Sequence, residues 1–213
     1  MDFDEDAENR ILASCLYRYN NISYTQALAW VEQANETEKA VFVKSLMECE
    51  NKHFIPLREL EHATFTFDIT VDQGAYYEVK RHRMMTITPQ PLTARLGYTT
   101  PRAITAVGLD SEYNRCMERV IATYKALYNL DRSIATYVVP NAFKRRFLLT
   151  ANLRSLLHFT KLRSAANAHF SVRRLAQQMC NQICETMPTF APFIIPSNRE
   201  SVVSIENKYF SNL

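Results

Sequence analysis

Glycine is scarce here: only Gly74, Gly97 and Gly108 occur among 213 residues, where average usage of about 7% would give roughly 15. The phosphate-cradling patterns G-x-G-x-x-G and G-x-x-x-x-G-K-[ST] need clustered glycines so that backbone amides can approach a phosphate, and neither can be built. A phosphate or dinucleotide held by this chain must therefore be gripped largely by side chains. No apolar run reaches the ~18 residues of a membrane-spanning helix. The acidic start, MDFDEDAE, lacks the basic and apolar regions of a secretory signal, so a cytoplasmic protein is expected. Cysteine is sparse and odd in number: Cys15, Cys49, Cys116, Cys180 and Cys184. They are expected to be reduced thiols in the core. Cys180 and Cys184 share a helical face, but no second Cys or His pair stands at ligand spacing, so no metal site is expected.

Acid is missing over long stretches. The net charge of +3 divides into 12 acids against 6 bases in residues 1–62 and 10 acids against 19 bases in residues 63–213. From Lys80 to Leu109 there are five Lys/Arg and no acid, and from Arg132 to Cys184 nine and no acid. A solvated basic face is one reading. Exposed basic faces normally intersperse Asp and Glu, however, so an anion-binding surface for nucleic acid, a nucleotide or a phosphorylated cofactor is the other. With 47% hydrophobic and 11% aromatic residues, disorder is excluded.

Periodicity then outlines the elements. The first 50 residues predict three helices, the second capped by Ser23. Phe65, Phe67, Ile69 and Val71 alternate with polar residues in the clearest strand, 63–71. A short helix is expected over 73–83, a loop over 86–101 around Pro89, Pro91 and Gly97, and a long helix over 112–129. A second strand follows at 146–151, then helices over 152–162 and 171–187, then an extended tail from Pro188. This order argues for an α+β fold, a central mostly antiparallel sheet covered by helices. The expected division is a helical segment over 1–50 packed on a core of 51–190, with an extended tail of 191–213.

Arg81-His82-Arg83 fits an element end, where it could grip an extended anion; an exposed basic triplet is the alternative. Thr93-Ala94-Arg95, on proline-stiffened chain, suits a polar small molecule or is simply a turn. His158 lies on an amphipathic helix beside Leu157 and Phe159, where a hydrogen-bonded core histidine is the commoner outcome. No nucleophile–base–acid arrangement is legible, and the few carboxylates near the basic windows disfavour paired-carboxylate hydrolysis. Redox or group-transfer chemistry carried by a bound organic cofactor remains.

These residues resemble the flavin-dependent thymidylate synthases. The family's R-H-R, seven residues and Ser is matched by Arg81-His82-Arg83, nine residues and Thr93-Ala94-Arg95. Glu61-His62-Ala63-Thr64-Phe65-Thr66-Phe67 is similar to the family's E-H-x-x-F-T-F, and Val139-Pro140 to its V-L-P. Asn152-Leu153-Arg154-Ser155-Leu156 through Leu162-Arg163 is similar to its N-x-R-S-L-x-x-F-x-x-L-R. The likeness spans roughly residues 51–188. It implies a thymidylate-synthase-complementing-protein-like α+β homotetramer that binds FAD between subunits, uses NADPH as reductant, and methylates dUMP to dTMP with methylenetetrahydrofolate. Carried over by position, His62, Arg81, His82, Arg83, Asn152, His158 and Asn167 would contact FAD. Thr93 and Arg163 would be the catalytic pair, with Arg163 polarising the uracil, and Gln90, Thr93, Arg95 and Arg163 would bind substrate.

The sequence departs from the pattern at Thr93 (Ser in the family), at Pro91 or Gln90 (Glu), at Thr136 (Arg) and at Asn167 (His), with Arg145 or Arg146 available to replace the lost Arg. These changes give a second expectation, a degenerate homologue that keeps the fold and binds flavin or nucleotide without turnover. A nucleic-acid-binding module using the acid-free windows is a third.

Overall fold

A computed structural model of the chain describes residues 1–48, 55–198 and 200–213. The chain opens with β1 (Asp2–Phe3) and three helices, α1 (Ala7–Tyr19), α2 (Tyr24–Gln33) and α3 (Glu36–Met47). A 3-10 helix over Arg58–His62 leads into β2 (Thr64–Asp72), α4 (Gln73–Val79), β3 (Thr86–Pro89), β4 (Thr100–Pro101) and α5 (Arg102–Ala106). Next come α6 (Asp110–Leu130), α7 (Arg132–Ala135) and a second 3-10 turn over Thr136–Val138. The chain ends with β5 (Lys144–Asn152), α8 (Leu153–Arg163), α9 (Phe170–Thr186), a 3-10 turn over Ala191–Phe193, α10 (Val202–Tyr209) and β6 (Phe210–Asn212).

β1, β2, β5 and β3 form one antiparallel sheet in that order. β2 and β5 pair along their whole length, from Thr64 opposite Asn152 to Asp72 opposite Lys144. The alternation in β2 works as read: Phe65, Phe67, Ile69 and Val71 are buried, each such side chain contributing about 1.5–3 kcal/mol. Phe147, Leu149 and Ala151 of β5 face the same way. They meet Ile11 and Leu12 of α1, Leu156 and Phe159 of α8, and Met179 and Ile183 of α9 in one continuous core. A smaller cluster around Tyr124 and Phe143 holds α6 against the 92–98 segment.

Local chemistry sets the ends. Ser23 and Gln26, and Asn35 and Glu38, close reciprocal capping boxes on α2 and α3. Asn152 and His169 cap α8 and α9 with their side chains. Gly97 takes φ +76°, a left-handed turn, and its carbonyl accepts from the Lys144 amide at 2.9 Å.

Three expectations are corrected. Residues 86–89 form a strand, because β3 is an edge strand and an edge tolerates Pro89. The tail is not extended throughout: Ser201 caps α10, whose Ile205 is buried and whose Glu206 bonds Arg174 at 2.6 Å. Tyr209 also stacks on Phe170 with 5.1 Å between ring centroids. Pro188, Pro192 and Pro196 all precede Ser197 and leave this helix free to form. Finally, Cys116 is exposed on α6 rather than in the core, while Cys15 and Cys180 are buried. Burial pushes the Cys15 thiol up to about 12. Cys49 lies outside the described residues.

Candidate functional site

The sheet register gathers one set of candidates at a single end. Asn152 closes β5 opposite Thr64, two residues after His62. Thr86 at the start of β3 lies opposite Thr150, so the R-H-R turn that precedes β3 arrives at this same end. α4 runs back from Asp72, and its last turn hands over to Lys80, whose amide still bonds the Tyr76 carbonyl. R-H-R thus sits just past a helix end, as its spacing suggested.

Arg163 meets this turn from the last turn of α8, where a cation also suits the helix dipole. Its Nε donates to His82 Nε2 at 2.9 Å, across 81 residues of sequence. Its Nη1 donates to Glu78 Oε2 at 2.8 Å and its Nη2 to the Glu78 carbonyl at 3.2 Å. Accepting at Nε2 requires His82 to be neutral with its proton on Nδ1. The imidazole packs edge-on against the buried Phe159 ring at 4.9 Å and lies 6.0 Å from the His158 ring. Burial first, then the Arg163 and His158 charges, push its pKa down to about 4.

The neighbours are freer. Arg81, Arg83 and His158 are exposed. The guanidinium groups of Arg81 and Arg83 have no ion-pair partner among the described residues. Asn152 Oδ1 accepts from the Ser155 amide at 2.8 Å, so its oxygen is committed to the cap, while its NH2 has no acceptor among the described residues. His62 lines a largely apolar cleft of about 540 Å³ with Ser14, Tyr17, Arg18, Tyr24 and Glu59. Asn167 lies exposed in the turn between α8 and α9.

The other set stands apart. Gln90, Thr93 and Arg95 follow the far end of β3, where Pro89 is opposite Phe147. The four residues of β3 separate them from the R-H-R turn by roughly 13 Å of strand. Thr93 Oγ1 accepts from the Arg95 amide at 3.1 Å, a local turn. The Arg95 guanidinium lies over the Tyr128 ring at 4.4 Å. Arg145 Nε donates to the Gln90 carbonyl at 3.2 Å and its guanidinium lies over Tyr76 at 4.5 Å, which puts it beside this loop. Arg146 is ion-paired with Asp68 instead. Thr136 spends its hydroxyl on the Ser133 carbonyl at 2.7 Å.

The acid-free window of sequence is not acid-free in space. Of its nine cations, Arg146, Arg154, Arg163, Arg173 and Arg174 pair with Asp68, Glu61, Glu78, Glu200 and Glu206, all from outside the window. Charge counting along the chain could not show this. It also missed Glu78 and Tyr128. Glu78 left one signal, as the last acid before Lys80 opens the first acid-free window. Among the described residues no group of three or more His, Cys, Asp or Glu could hold a metal ion, and no helix is long and apolar enough to cross a membrane.

A family model described as "Thymidylate synthase complementing protein" matches residues 1–189. A "UPF0159 protein" of Chlamydia muridarum is 30% identical over 192 residues, covering 90% of this chain and 36% of the relative. A UPF0159 protein of Thermoplasma acidophilum is 35% identical over 141 residues, 64% of this chain and 28% of the relative. A "Flavin-dependent thymidylate synthase" of Geobacter sulfurreducens is 31% identical over 141 residues, 61% of this chain and 60% of the relative. The chain therefore spans about a third of the length of the two UPF0159 relatives.

Proposed function

This chain belongs to the thymidylate synthase complementing protein family, and on that premise we propose that it is a flavin-dependent thymidylate synthase. The reaction is methylation of dUMP to dTMP, with methylenetetrahydrofolate as carbon donor and NADPH as reductant. The observation that carries this reading is the bond between Arg163 and His82, which joins the two motifs of the resemblance from 81 residues apart.

The donor set suits FAD. Arg81 and Arg83, exposed and without an ion-pair partner among the described residues, offer guanidinium groups to a diphosphate, a match of planar fork to phosphate oxygens. His82 and the Asn152 amide add neutral hydrogen bonds, and His158 and Asn167 stand exposed on the same helix and the turn after it. Bound and reduced, the flavin would supply the electrons that turn the one-carbon unit into a methyl group. Arg163, oriented by His82 and the Glu78 main-chain carbonyl, would offer a cation where negative charge develops on the uracil carbonyl. Thr93 keeps a hydroxyl hydrogen to donate, and Arg95, braced on Tyr128, is the phosphate contact, with Gln90 beside it.

The two sets of residues lie at opposite ends of β3. A composite site in a homo-oligomer, with Thr93 and Arg95 of one subunit reaching the Arg163 of another, would bring both sets to one dUMP, in keeping with the tetramer that the resemblance implies. Complementation of a thymidine-requiring strain tests the activity, and calorimetric titration with dUMP tests the pocket.

A second reading rests on a specific pair of observations. Arg163 is already neutralised by Glu78, and Arg146 cannot replace the Arg lost at Thr136 because Asp68 holds it. A degenerate homologue that binds flavin without turnover would look the same. A yellow protein that fails both to complement and to bind dUMP would favour it.

A further inference from the structure

Glu78 plays no part in the site read from sequence, yet its carboxylate makes the shortest hydrogen bond that Arg163 has. An arginine offers five N–H donors. One on Nε goes to His82, one on Nη1 to the Glu78 carboxylate, and one on Nη2 to the Glu78 main-chain carbonyl. The two side chains are only 15% and 25% exposed, so the pair is less screened than a surface ion pair and its charge-assisted bond is correspondingly stronger. The guanidinium is thus compensated before any ligand arrives.

The three bonds differ in kind. His82 and the Glu78 carbonyl are fixed by the turn and by the helix backbone, and they hold the guanidinium in place. The carboxylate is the tip of a flexible side chain on the second-last residue of α4, a seven-residue helix. It can swing away without moving either fixed bond. Arg163 would remain in position, with a donor on Nη1 released and its charge uncompensated.

We propose that Glu78 withholds Arg163 from the nucleotide and so sets substrate affinity: the Glu78 carboxylate must leave Nη1 before Arg163 can meet the uracil carbonyl. The substrate half of this statement rests on reading Arg163 as the uracil-binding cation; the withholding half does not. Glu78 acts through Arg163 and is a positioning residue.

Two measurements on the full chain incubated with FAD separate the halves. The first is the rate of phenylglyoxal modification at Arg163, mapped by peptide mass, in the wild type and in Glu78→Gln. We expect the rate at Arg163 to rise several-fold while the rates at Arg81 and Arg83 stay the same. The second is calorimetric binding of dUMP. Glu78→Gln should bind roughly tenfold tighter than wild type, and this gain should vanish in an Arg163→Gln background. Should Glu78→Gln not fold, Glu78→Asp, one methylene shorter, should give a smaller increase in Arg163 reactivity of the same sign. An unchanged Arg163 rate in the folded variant overturns the proposal. So does dUMP binding that is no tighter in Glu78→Gln when both proteins bind. An Arg163 that is freed while neither protein binds dUMP upholds the withholding and removes the substrate reading.

Discussion

Acid should weaken the turn that carries Arg81, His82 and Arg83 through the protonation of one imidazole. His82 is pushed from 6.5 down to about 4, first by burial against the core, then by the Arg163 and His158 charges. As pH falls below 6.5 the unfolded chain takes up a proton at this position, and the folded chain does not until about 4. Between those values the unfolded state holds more protons, so stability rises with pH. The contribution is intact above 6.5 and is lost as pH falls to about 4. At 1.36 kcal/mol per pH unit the interval corresponds to about 3 kcal/mol. The imidazole is only half-buried, and water screening reduces this to about 1–2 kcal/mol. The ring resonances of His82 in an NMR titration report the pKa directly. Urea unfolding of the wild type and of His82→Gln, at pH 7 and again near pH 4.5, reports the linkage: the wild type should lose about 1–2 kcal/mol more than the variant. Arg163→Gln should bring the His82 pKa part of the way back towards 6.5, since burial, the larger cause, remains. A His82 that titrates at or above 6.5, or parallel loss in wild type and variant, would refute the neutral, Nε2-accepting imidazole on which the site is built.

Arg81→Ala should weaken flavin retention, read from the absorbance of the desalted protein, whereas Arg163→Ala should keep flavin and lose dUMP binding; equal flavin loss in both contradicts the division of roles. Phe147→Ala, which opens a cavity under β5 in the fully buried core, should cost about 3–5 kcal/mol by urea unfolding. Asp68→Asn, at an exposed pair with Arg146, should leave the unfolding midpoint unchanged, because surface ion pairs contribute little.

Much of the fold was legible because its signals are local. Period-two burial marked β2, helical spacing marked α6, α8 and α9, and Ser23 marked the start of α2 through a side chain that bonds only three residues on. What escaped was decided by distant partners. β3 exists because β5 offers it an edge, which Pro89 conceals in the sequence. α10 is fastened by Arg174 and Phe170, each more than thirty residues away. The candidate site was visible in the sequence as motifs, and the fold brings two of them together at Arg163 and His82. The charge state was not legible. A cation looks free when no acid lies near it in sequence, yet Glu78, Asp68 and Glu206 reach theirs across the fold. The separation of Thr93 and Arg95 from Arg163 was not legible for a related reason: strand β3 sends them to the opposite end of the sheet.

Tritium release from uracil-labelled dUMP, with FAD, NADPH and methylenetetrahydrofolate at saturation, tests the central claim most directly. Release that requires all three and is lost in Arg163→Ala is the result expected of a flavin-dependent thymidylate synthase. No release from a folded, flavin-loaded protein would contradict it.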